Sequence, residues 1–309
     1  MSDVYCFGHV TTSMFLRLRG RYPAADGYAE IAETLENHAG EATAAALVLT
    51  QLGVSVTLEG NWIGDTPACR RTLEFLRGRG IDCAGLVVRP GYAGVNEIVV
   101  ADGHTRTFFG RFGDLLGTTR QWEMPDATRI RAARAACVDP SFGEATLLVA
   151  RTARAAGIPV VTSDAAPDSP LAALADVLVI SGEFLARDHR DALEFGPARE
   201  RLFADYLARC PGLVVFTAGA RPFWFARAGE AARQESVPFA IDIVDSAGAG
   251  DSFRAGLIYG LLQGWPDEKS VRFASAVAAL ICTTAPGCVH PPTLAQVRDF
   301  LAARGEPLA

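Results

Sequence analysis

Residues 245–262 read DSAGAGDSFRAGLIYGLL, and this stretch carries the most specific signal in the chain. A glycine- and alanine-rich turn at 247–250 meets Asp251, and a helical apolar pattern follows at once. Backbone N–H groups of such a turn, placed at the positive end of a helix dipole, are suited to bind an anion. The preceding segment FAIDIVD (239–245) alternates like a β-strand. The sequence therefore predicts a strand, an anion hole and a helix here.

Asp251 has two interpretations at this stage. An acidic residue in the first turn of a helix suits the helix dipole, so Asp251 is either a capping acid or a general base. A site for stable phosphate binding gains nothing from a carboxylate, whereas phosphoryl transfer needs one to take a proton while amides hold the transferring group. Asp245 adds a second acid suited to a cation. A dinucleotide fingerprint is disfavoured because Phe253 occupies its third glycine position.

The composition excludes several classes of function. The 309 residues carry a net charge of -6, which argues against a nucleic-acid or anionic-membrane partner. The 7 cysteines are odd in number and lack zinc-ligand spacing, so reduced thiols are expected. The N-terminus does not resemble a signal peptide, and the apolar runs are shorter than a membrane span. We expect a soluble cytoplasmic protein.

Lys269 is the single lysine of the chain. A Walker A loop and a protein-kinase fold each need a lysine on the nucleotide, so neither is present. A lysine Schiff-base mechanism is disfavoured for the same reason. Phosphate chemistry in this chain therefore depends on backbone amides, arginines or a metal ion.

Short apolar runs alternate with helical patterns along the chain, which predicts a mainly parallel α/β sheet with helices on both faces. Ligands of such sheets bind beyond the carboxyl ends of the strands. Residues 13–37 and 95–110 break the rhythm with alternating segments, the second having Asp102-Gly103 at a hairpin tip. We predict one domain over 1–309, in which these two segments form a small separate sheet that serves as a lid or a dimer surface.

The stretch 245–262 resembles the C-terminal signature of the ribokinase-like (PfkB) sugar kinases, Asp-Thr-x-Gly-Ala-Gly-Asp-x-Phe followed by a helix of small residues. The resemblance covers nearly the whole chain; within the family, the length and DVLVIS (176–181) are most similar to ketohexokinase. It implies a Rossmann-like ribokinase fold with a β-sheet lid and transfer of the γ-phosphate from ATP to a hydroxyl of a small sugar-like acceptor, with magnesium. The further segments that carry it are CFGH (6–9), YPAADG (22–27), LGVSVTLEGNWIGD (52–65), LRGRGID (76–82), ADVLVISGEFL (175–185), VVFTAGA (214–220) and TTAPGCVHPP (283–292).

The resemblance also implies roles for the catalytic and nucleotide-binding residues. Asp251 matches the general base, and Asp245 matches a ligand of a monovalent cation such as K⁺. Ser181 stands where the family has the Asn of an Asn-x-x-Glu motif, and Phe184 replaces its Glu. The adjacent Glu183 is either a substitute metal ligand or a solvated acid at a helix start. The residues implied to form the anion hole are Ala247, Gly248, Ala249 and Gly250, and those implied to bind the nucleotide are Ser181, Thr217, Gly219 and Gly287, with Pro222 departing from the family's nucleotide turn.

The acceptor end departs most from the family. Ser13 and Ala44 replace an aspartate and an asparagine that bind sugar hydroxyls, so ribose, fructose and glucose are expected to be poor substrates. Glu41 is either a substrate ligand or an acid at a helix start. Lid arginines are suited to clamp an acidic or phosphorylated acceptor, or are surface charges. The candidates for acceptor binding are Ser13, Gly40, Glu41, Arg106 and Arg111, with Asp164 beside the phosphates and His9 and His104 as weaker candidates.

Two alternatives remain open. The altered acceptor residues suit a non-catalytic metabolite sensor on the same fold, although the retained Asp251 weighs against a pure binder. A nicotinamide-dependent enzyme is the second alternative. Lids of the family often pair across a two-fold axis, so a homodimer through the lid is also implied.

Overall fold

The computed structural model describes residues 2–103, 105–117, 119–230 and 232–308. Its main sheet has eight strands in the order β14-β13-β12-β11-β10-β9-β1-β4. The strands are β1 (Val4–Gly8), β4 (Val56–Gly60), β9 (Ala135–Val138), β10 (Val160–Ser163), β11 (Val177–Ile180), β12 (Leu213–Phe216), β13 (Phe223–Arg227) and β14 (Gln234–Ser236). The six strands from β4 to β12 are parallel, as the alternation of strands and helices predicts. Strands β13 and β14 are antiparallel and were not predicted.

Both faces of this sheet are buried, which explains why its strands are nearly continuous apolar runs. In β1, Val4 and Cys6 point to one hydrophobic core, and Tyr5 and Phe7 point to the other. None of the helices in the described ranges has the length and apolar character needed to cross a bilayer. The helices are α1 (Glu41–Gln51), α2 (Pro67–Gly78), α3 (Phe112–Gly117), α4 (Ala127–Arg131), α5 (Glu144–Ala155), α6 (Gly182–Asp188), α7 (Pro197–Arg209), α8 (Ala249–Leu262), α9 (Asp267–Ile281) and α10 (Leu294–Ala302).

Helix α8 is rich in small residues because it packs closely on α9. A Cβ atom added at Gly256 would lie 2.5 Å from the Cα atom of Ala274, well inside contact distance. Backbone approach of this kind is possible only where the side chain is absent. The small residues after Asp251 therefore allow α8, which begins at the predicted anion hole, to pack closely on α9.

The two segments that break the α/β rhythm lie side by side. They form a four-stranded sheet in the order β3-β2-β7-β8, which we call the small sheet. Its strands are β2 (Thr11–Leu18), β3 (Ile31–Ala39), β7 (Asn96–Ala101) and β8 (Arg106–Gly110), and β2 pairs in parallel with β7. A two-stranded ribbon, β5 (Ile63–Gly64) with β6 (Val88–Arg89), completes the sheets. His104, one of the weaker candidates, lies outside the described residues.

The predicted strand over 239–245 is wrong. This segment has no strand structure and runs past the C-terminal end of α9. The backbone N–H of Val244 donates to the carbonyl of Cys282 at 2.8 Å, and Asp245 N–H does so at 3.3 Å. The helix end thus binds two backbone N–H groups of the segment, and the alternation of apolar residues did not lead to strand pairing.

Candidate active site

A cavity of about 600 Å³ opens between the small sheet and the carboxyl ends of the main strands. The small sheet contributes Asn37, Glu97 and Arg106 to its wall. Glu41 and Asp251 face them from the main body. The cavity is large enough for a sugar-sized ligand together with part of a second one. The carboxyl ends of the strands, where this cavity lies, are the place at which ligands of open parallel sheets bind.

The 245–251 loop forms one side of the cavity and is held by Asp245. The Oδ1 atom of Asp245 accepts the N–H of Ala247 at 2.9 Å, and Oδ2 accepts the N–H of Gly287 at 3.5 Å. Asp245 is buried, so its carboxylate braces the loop and does not point into open space. Gly287, predicted to contact nucleotide, lines the same cavity.

The anion hole is smaller than the sequence predicts. Ala247 N–H is bonded to Asp245, and Ala249 N–H donates to the carbonyl of Ser246 at 3.3 Å. Gly248, with φ of 74°, is the last residue before helix α8, whose first turn contains Gly250. The N–H groups of a first helical turn have no partner within the helix. Because the N–H groups of Ala247 and Ala249 are engaged, the amides available to an anion are those of Gly248, Gly250 and Asp251.

Asp251 lies in that first turn and lines the cavity. Its side chain is 23 % exposed, and its Oδ1 atom lies 3.6 Å from Nη2 of Arg254. Burial raises the pKa of Asp251 well above its ordinary value, although Arg254 acts in the opposite direction. A carboxylate with a raised pKa beside unpaired amides has the properties of a general base for a hydroxyl.

A charged network that the sequence did not reveal lies beneath Asp251. Arg254 is fully buried and donates from Nη2 to Oδ1 of Asp139 at 2.9 Å. The other oxygen of Asp139 accepts the backbone N–H groups of His9, at 2.8 Å, and Ala42, at 3.0 Å. Burial favours neutral Asp139, but Arg254 and these hydrogen bonds hold its pKa below the ordinary value. Asp139 therefore joins the loop after β1, the start of α1 and helix α8.

The acceptor side keeps polar groups, but they come from the small sheet. Ser13 is buried and does not line the cavity. Its Oγ donates to Glu97 at 3.0 Å and accepts from Nδ2 of Asn37 at 3.1 Å, and both partners line the cavity. Ala44 lines the cavity as an apolar patch. The predicted loss of polar anchors at 13 and 44 is thus partly offset by Asn37 and Glu97.

Glu41 and Gly40, two of the predicted acceptor residues, line the cavity. Gly40 adopts φ of 110° and precedes the helix that begins with Glu41. Burial raises the pKa of Glu41 to about 7, and the negative charge of Asp139 adds to the effect. His9 also lines the cavity; burial opposes its charge, but the hydrogen bond to Asp139 raises its pKa.

The two arginines of the predicted lid differ. Arg106, in strand β8, donates from Nη1 to Oγ of Ser246 and from Nη2 to Glu183 at 3.2 Å, so it joins the small sheet to the loop and to helix α6. Its Nε–H is buried and has no partner among the described residues. Arg111 is exposed and is not among the residues that line the cavity, so its role in the acceptor site stays a prediction.

Three of the predicted nucleotide residues, Ser181, Thr217 and Gly219, follow the carboxyl ends of the neighbouring strands β11 and β12. Ser181 caps α6: its Oγ accepts the N–H of Phe184 at 3.0 Å and donates to Asp164 at 2.8 Å. Thr217 donates to the carbonyl of Ile180 at 3.4 Å, and Gly219 has φ of 63°. These residues and Asp164 flank the cavity without lining it. Glu183 and Arg187, one helical turn apart on α6, do line it.

The described residues contain one close set of three potential metal ligands, His9, Glu41 and Asp139, with ligand atoms within 4.8 Å of one another. Asp139 already accepts two backbone N–H groups and the Arg254 guanidinium. The adjacent cation and the occupied oxygens fit a hydrogen-bonded network better than a divalent ion. Glu183 is different, because its side chain is 86 % exposed at the cavity.

Several site residues were missed by sequence reasoning. Arg254 had a usable signal, since it is the one basic residue of helix α8 and lies three positions after Asp251. Asp139 ends strand β9 at the ligand edge, which is also a recognisable position. No sequence signal pointed to Asn37, Glu97 or Arg187, because only the folded chain shows which side of a strand or helix faces the cavity.

Comparison with known proteins agrees with this geometry. The model of the pfkB family carbohydrate kinases matches residues 1–293. The chain is 30% identical over 317 residues to an ATP-dependent ribose-1-phosphate kinase of Halopiger xanaduensis, covering 98% of this chain and 99% of that protein.

Solved structures share the fold. A candidate ribokinase from Agrobacterium tumefaciens superposes with a TM-score of 0.85 at 24% identity, covering 99% of both chains. Arabidopsis thaliana ribokinase, complexed with ribose and ATP, has a TM-score of 0.80 at 18% identity and covers 97% of this chain and 98% of its own. None of these three is a ketohexokinase, so the closer likeness to that subgroup stays a prediction. The ribokinase-like fold and the carbohydrate-kinase class predicted from the sequence are confirmed, and the chain belongs to the pfkB family of carbohydrate kinases.

Proposed function

We propose that this kinase transfers the γ-phosphate of ATP to a hydroxyl of a phosphorylated pentose of the ribose 1-phosphate type. The observation that carries the proposal is the position of Arg106, which lines the same cavity as Asp251 and has a buried Nε–H without a partner among the described residues. Arg187 adds a second positive charge to that wall. Arginine is the residue best suited to hold a phosphate. The name of the Halopiger relative supports the same class of acceptor.

Asp251 is proposed as the general base. It would take the proton from the attacking hydroxyl, and its raised pKa brings it closer to neutral pH, where such a base is effective. The amides of Gly248, Gly250 and Asp251 would hold the negative charge of the transferring group, together with the helix dipole. Phosphoryl transfer depends chiefly on such positioning and charge stabilisation.

Glu183 is the proposed protein ligand for Mg²⁺. Magnesium in kinases is commonly held by one or two carboxylates and by phosphate oxygens, so one exposed carboxylate at the cavity edge fits. When bound, the ion neutralises charge on the β- and γ-phosphates. Asp245 has its oxygens engaged by N–H groups, so we propose that it shapes the loop carbonyls that a monovalent cation such as K⁺ would use.

We propose that residues 1–309 form one kinase domain and that its lid segments, about 13–37 and 95–110, form the small sheet. Arg106 ties this sheet to Ser246 and Glu183 on the opposite wall. A sheet held in this position would exclude water from the reacting groups and limit ATP hydrolysis. Substitution of Arg106 should therefore raise ATP hydrolysis relative to acceptor phosphorylation, and an unchanged ratio would contradict the lid.

The outer face of the small sheet is proposed as a homodimer surface. Met14, Ile98 and Phe109 are cross-strand neighbours there and are 43%, 41% and 49% exposed. A contiguous apolar patch of this kind often marks an interface. Sedimentation of the wild-type protein should give a dimer, and I98E should give a monomer; a monomeric wild type would exclude this interface.

An acceptor panel tests the proposed function. ATP consumption is measured with ribose 1-phosphate, ribose 5-phosphate, ribose, fructose and glucose, and the phosphorylated product is identified. Ribose 1-phosphate should exceed the neutral sugars in kcat/KM by about 10- to 100-fold, the value of one good charge-assisted contact. D251N should fold normally and lose about 10²–10⁴-fold in rate. An efficiency of about 10⁴ M⁻¹s⁻¹ or more with ribose or fructose would overturn the acceptor assignment.

A further inference from the structure

Arg254 is placed to act on both halves of the site although it does not line the cavity. It lies one helical turn after Asp251 on α8, so its guanidinium extends beneath the proposed base, with Nη2 at 3.6 Å from Oδ1. Nη1 donates to Oγ of Ser163 at 3.1 Å, at the end of β10. The side chain therefore fixes α8 to the carboxyl edge of the sheet at the point where Asp251 is presented.

The same guanidinium holds Asp139, which organises the acceptor half. Nη2 of Arg254 is 2.9 Å from Oδ1 of Asp139, while Oδ2 of Asp139 accepts the N–H groups of His9 and Ala42. These two amides belong to the loop after β1 and to the first turn of α1, next to Glu41. One fully buried ion pair thus connects the helix that carries the base to the loops that form the acceptor wall.

We infer that Arg254 is a positioning residue, which through Asp139 and Asp251 sets the distance and the charge balance between base and acceptor. The inference rests on the proposed role of Asp251 in phosphoryl transfer. A lysine at 254 would keep the charge. It lacks the planar pair of N–H groups by which the guanidinium reaches Ser163 on one side and Asp139 and Asp251 on the other. A neutral side chain would lose both the geometry and the charge.

The charge effect has a defined sign. Arg254 favours the ionised form of Asp251, and it acts on Asp251 more strongly than any of the acidic neighbours that oppose ionisation. Loss of Arg254 should therefore move the acidic limb of kcat/KM to higher pH. The other titratable groups that face Asp251 are Glu41 from α1, Asp139 and Cys137 from β9, and Cys288 from the turn after α9.

The test compares three variants of the full chain: R254K, R254M and R254M/D139N. R254M leaves Asp139 buried without its cation and should lose thermal stability, so the double variant separates folding from catalysis. We expect the double variant to regain most of the thermal midpoint lost by R254M but to stay at least about tenfold below wild type in kcat, with its acidic limb shifted upward. R254K should keep the wild-type limb and lose kcat.

The outcomes are distinguishable. If the wild-type protein phosphorylates no acceptor on the panel, the proposed function fails before any variant is compared. If wild type is active and R254M/D139N matches it in kcat and in the position of the acidic limb, the inference about Arg254 is overturned. A double variant that regains stability without regaining rate supports positioning and contradicts a purely structural role.

Discussion

Replacing Gly248 by alanine tests the geometry of the anion hole directly. Gly248 has φ of 74°, in the left-handed region that costs a residue with a Cβ atom about 1–2 kcal/mol. The added Cβ would also lie 1.9 Å from Sγ of Cys288, whereas carbon and sulfur atoms pack no closer than about 3.5 Å. The loop or Cys288 must therefore move by about 1.5 Å. Displacement of one anion-hole donor costs about 10²–10³ in rate, so kcat/KM of G248A should fall by that factor.

Gly250, two residues further on, supplies the matched control. It lies in α8 with ordinary helical φ, and a Cβ atom there would meet nothing within 4 Å. G250A should keep kcat/KM within a few-fold and gain up to about 1 kcal/mol in unfolding free energy. In G248A/C288A the remaining contact, 3.6 Å to the Cβ atom of Cys288, is ordinary, so part of the lost rate should return. The test is steady-state kinetics and thermal unfolding of the wild type and of the three variants. A wild-type rate and wild-type stability in G248A would refute the loop geometry.

Three further predictions follow from the charges of the site. R106M should raise KM for a phosphorylated acceptor roughly tenfold to hundredfold, the value of a charge-assisted hydrogen bond. The exposed control R111M should leave this KM unchanged. Equal effects in both variants would remove Arg106 from the acceptor site. Burial raises the pKa of Glu41 from 4.5 to about 7, so the folded protein holds more protons than the unfolded chain between those pH values. The fold thus disfavours ionised Glu41, and wild type should lose thermal stability relative to E41Q as pH rises from 4.5 to 7. Thermal-stability profiles of the two proteins that run parallel over this pH range would contradict this. Potassium should raise activity over a choline buffer, because Asp245 holds the loop carbonyls in place, and equal rates in the two salts would remove Asp245 from the list of cation-site residues.

The sequence by itself determined the family and the α/β class, and it singled out the proposed base, Asp251, with its loop. The motif at 245–251 is local: a few glycines, one aspartate and a helical pattern are enough to specify a turn with unpaired amides, wherever the rest of the chain goes. Strand and helix alternation was equally readable, since β9 to β12 are short apolar runs with clear ends. Local chemistry therefore singled out the proposed catalytic end of the site.

Tertiary structure decided what lies opposite and beneath that loop. Whether Glu97 or its neighbour Ile98 faces the cavity depends on the register of β7 against β2, which no local pattern specifies. The segment 239–245 alternates like a strand, yet two of its backbone N–H groups donate to a carbonyl at the C-terminal end of α9. Arg254 joins Asp139 across 115 residues of chain, and only the packing of α8 on β9 makes the two charges neighbours. Acceptor specificity depends on such long-range contacts, because a pocket is formed by side chains that the fold brings together from distant parts of the chain.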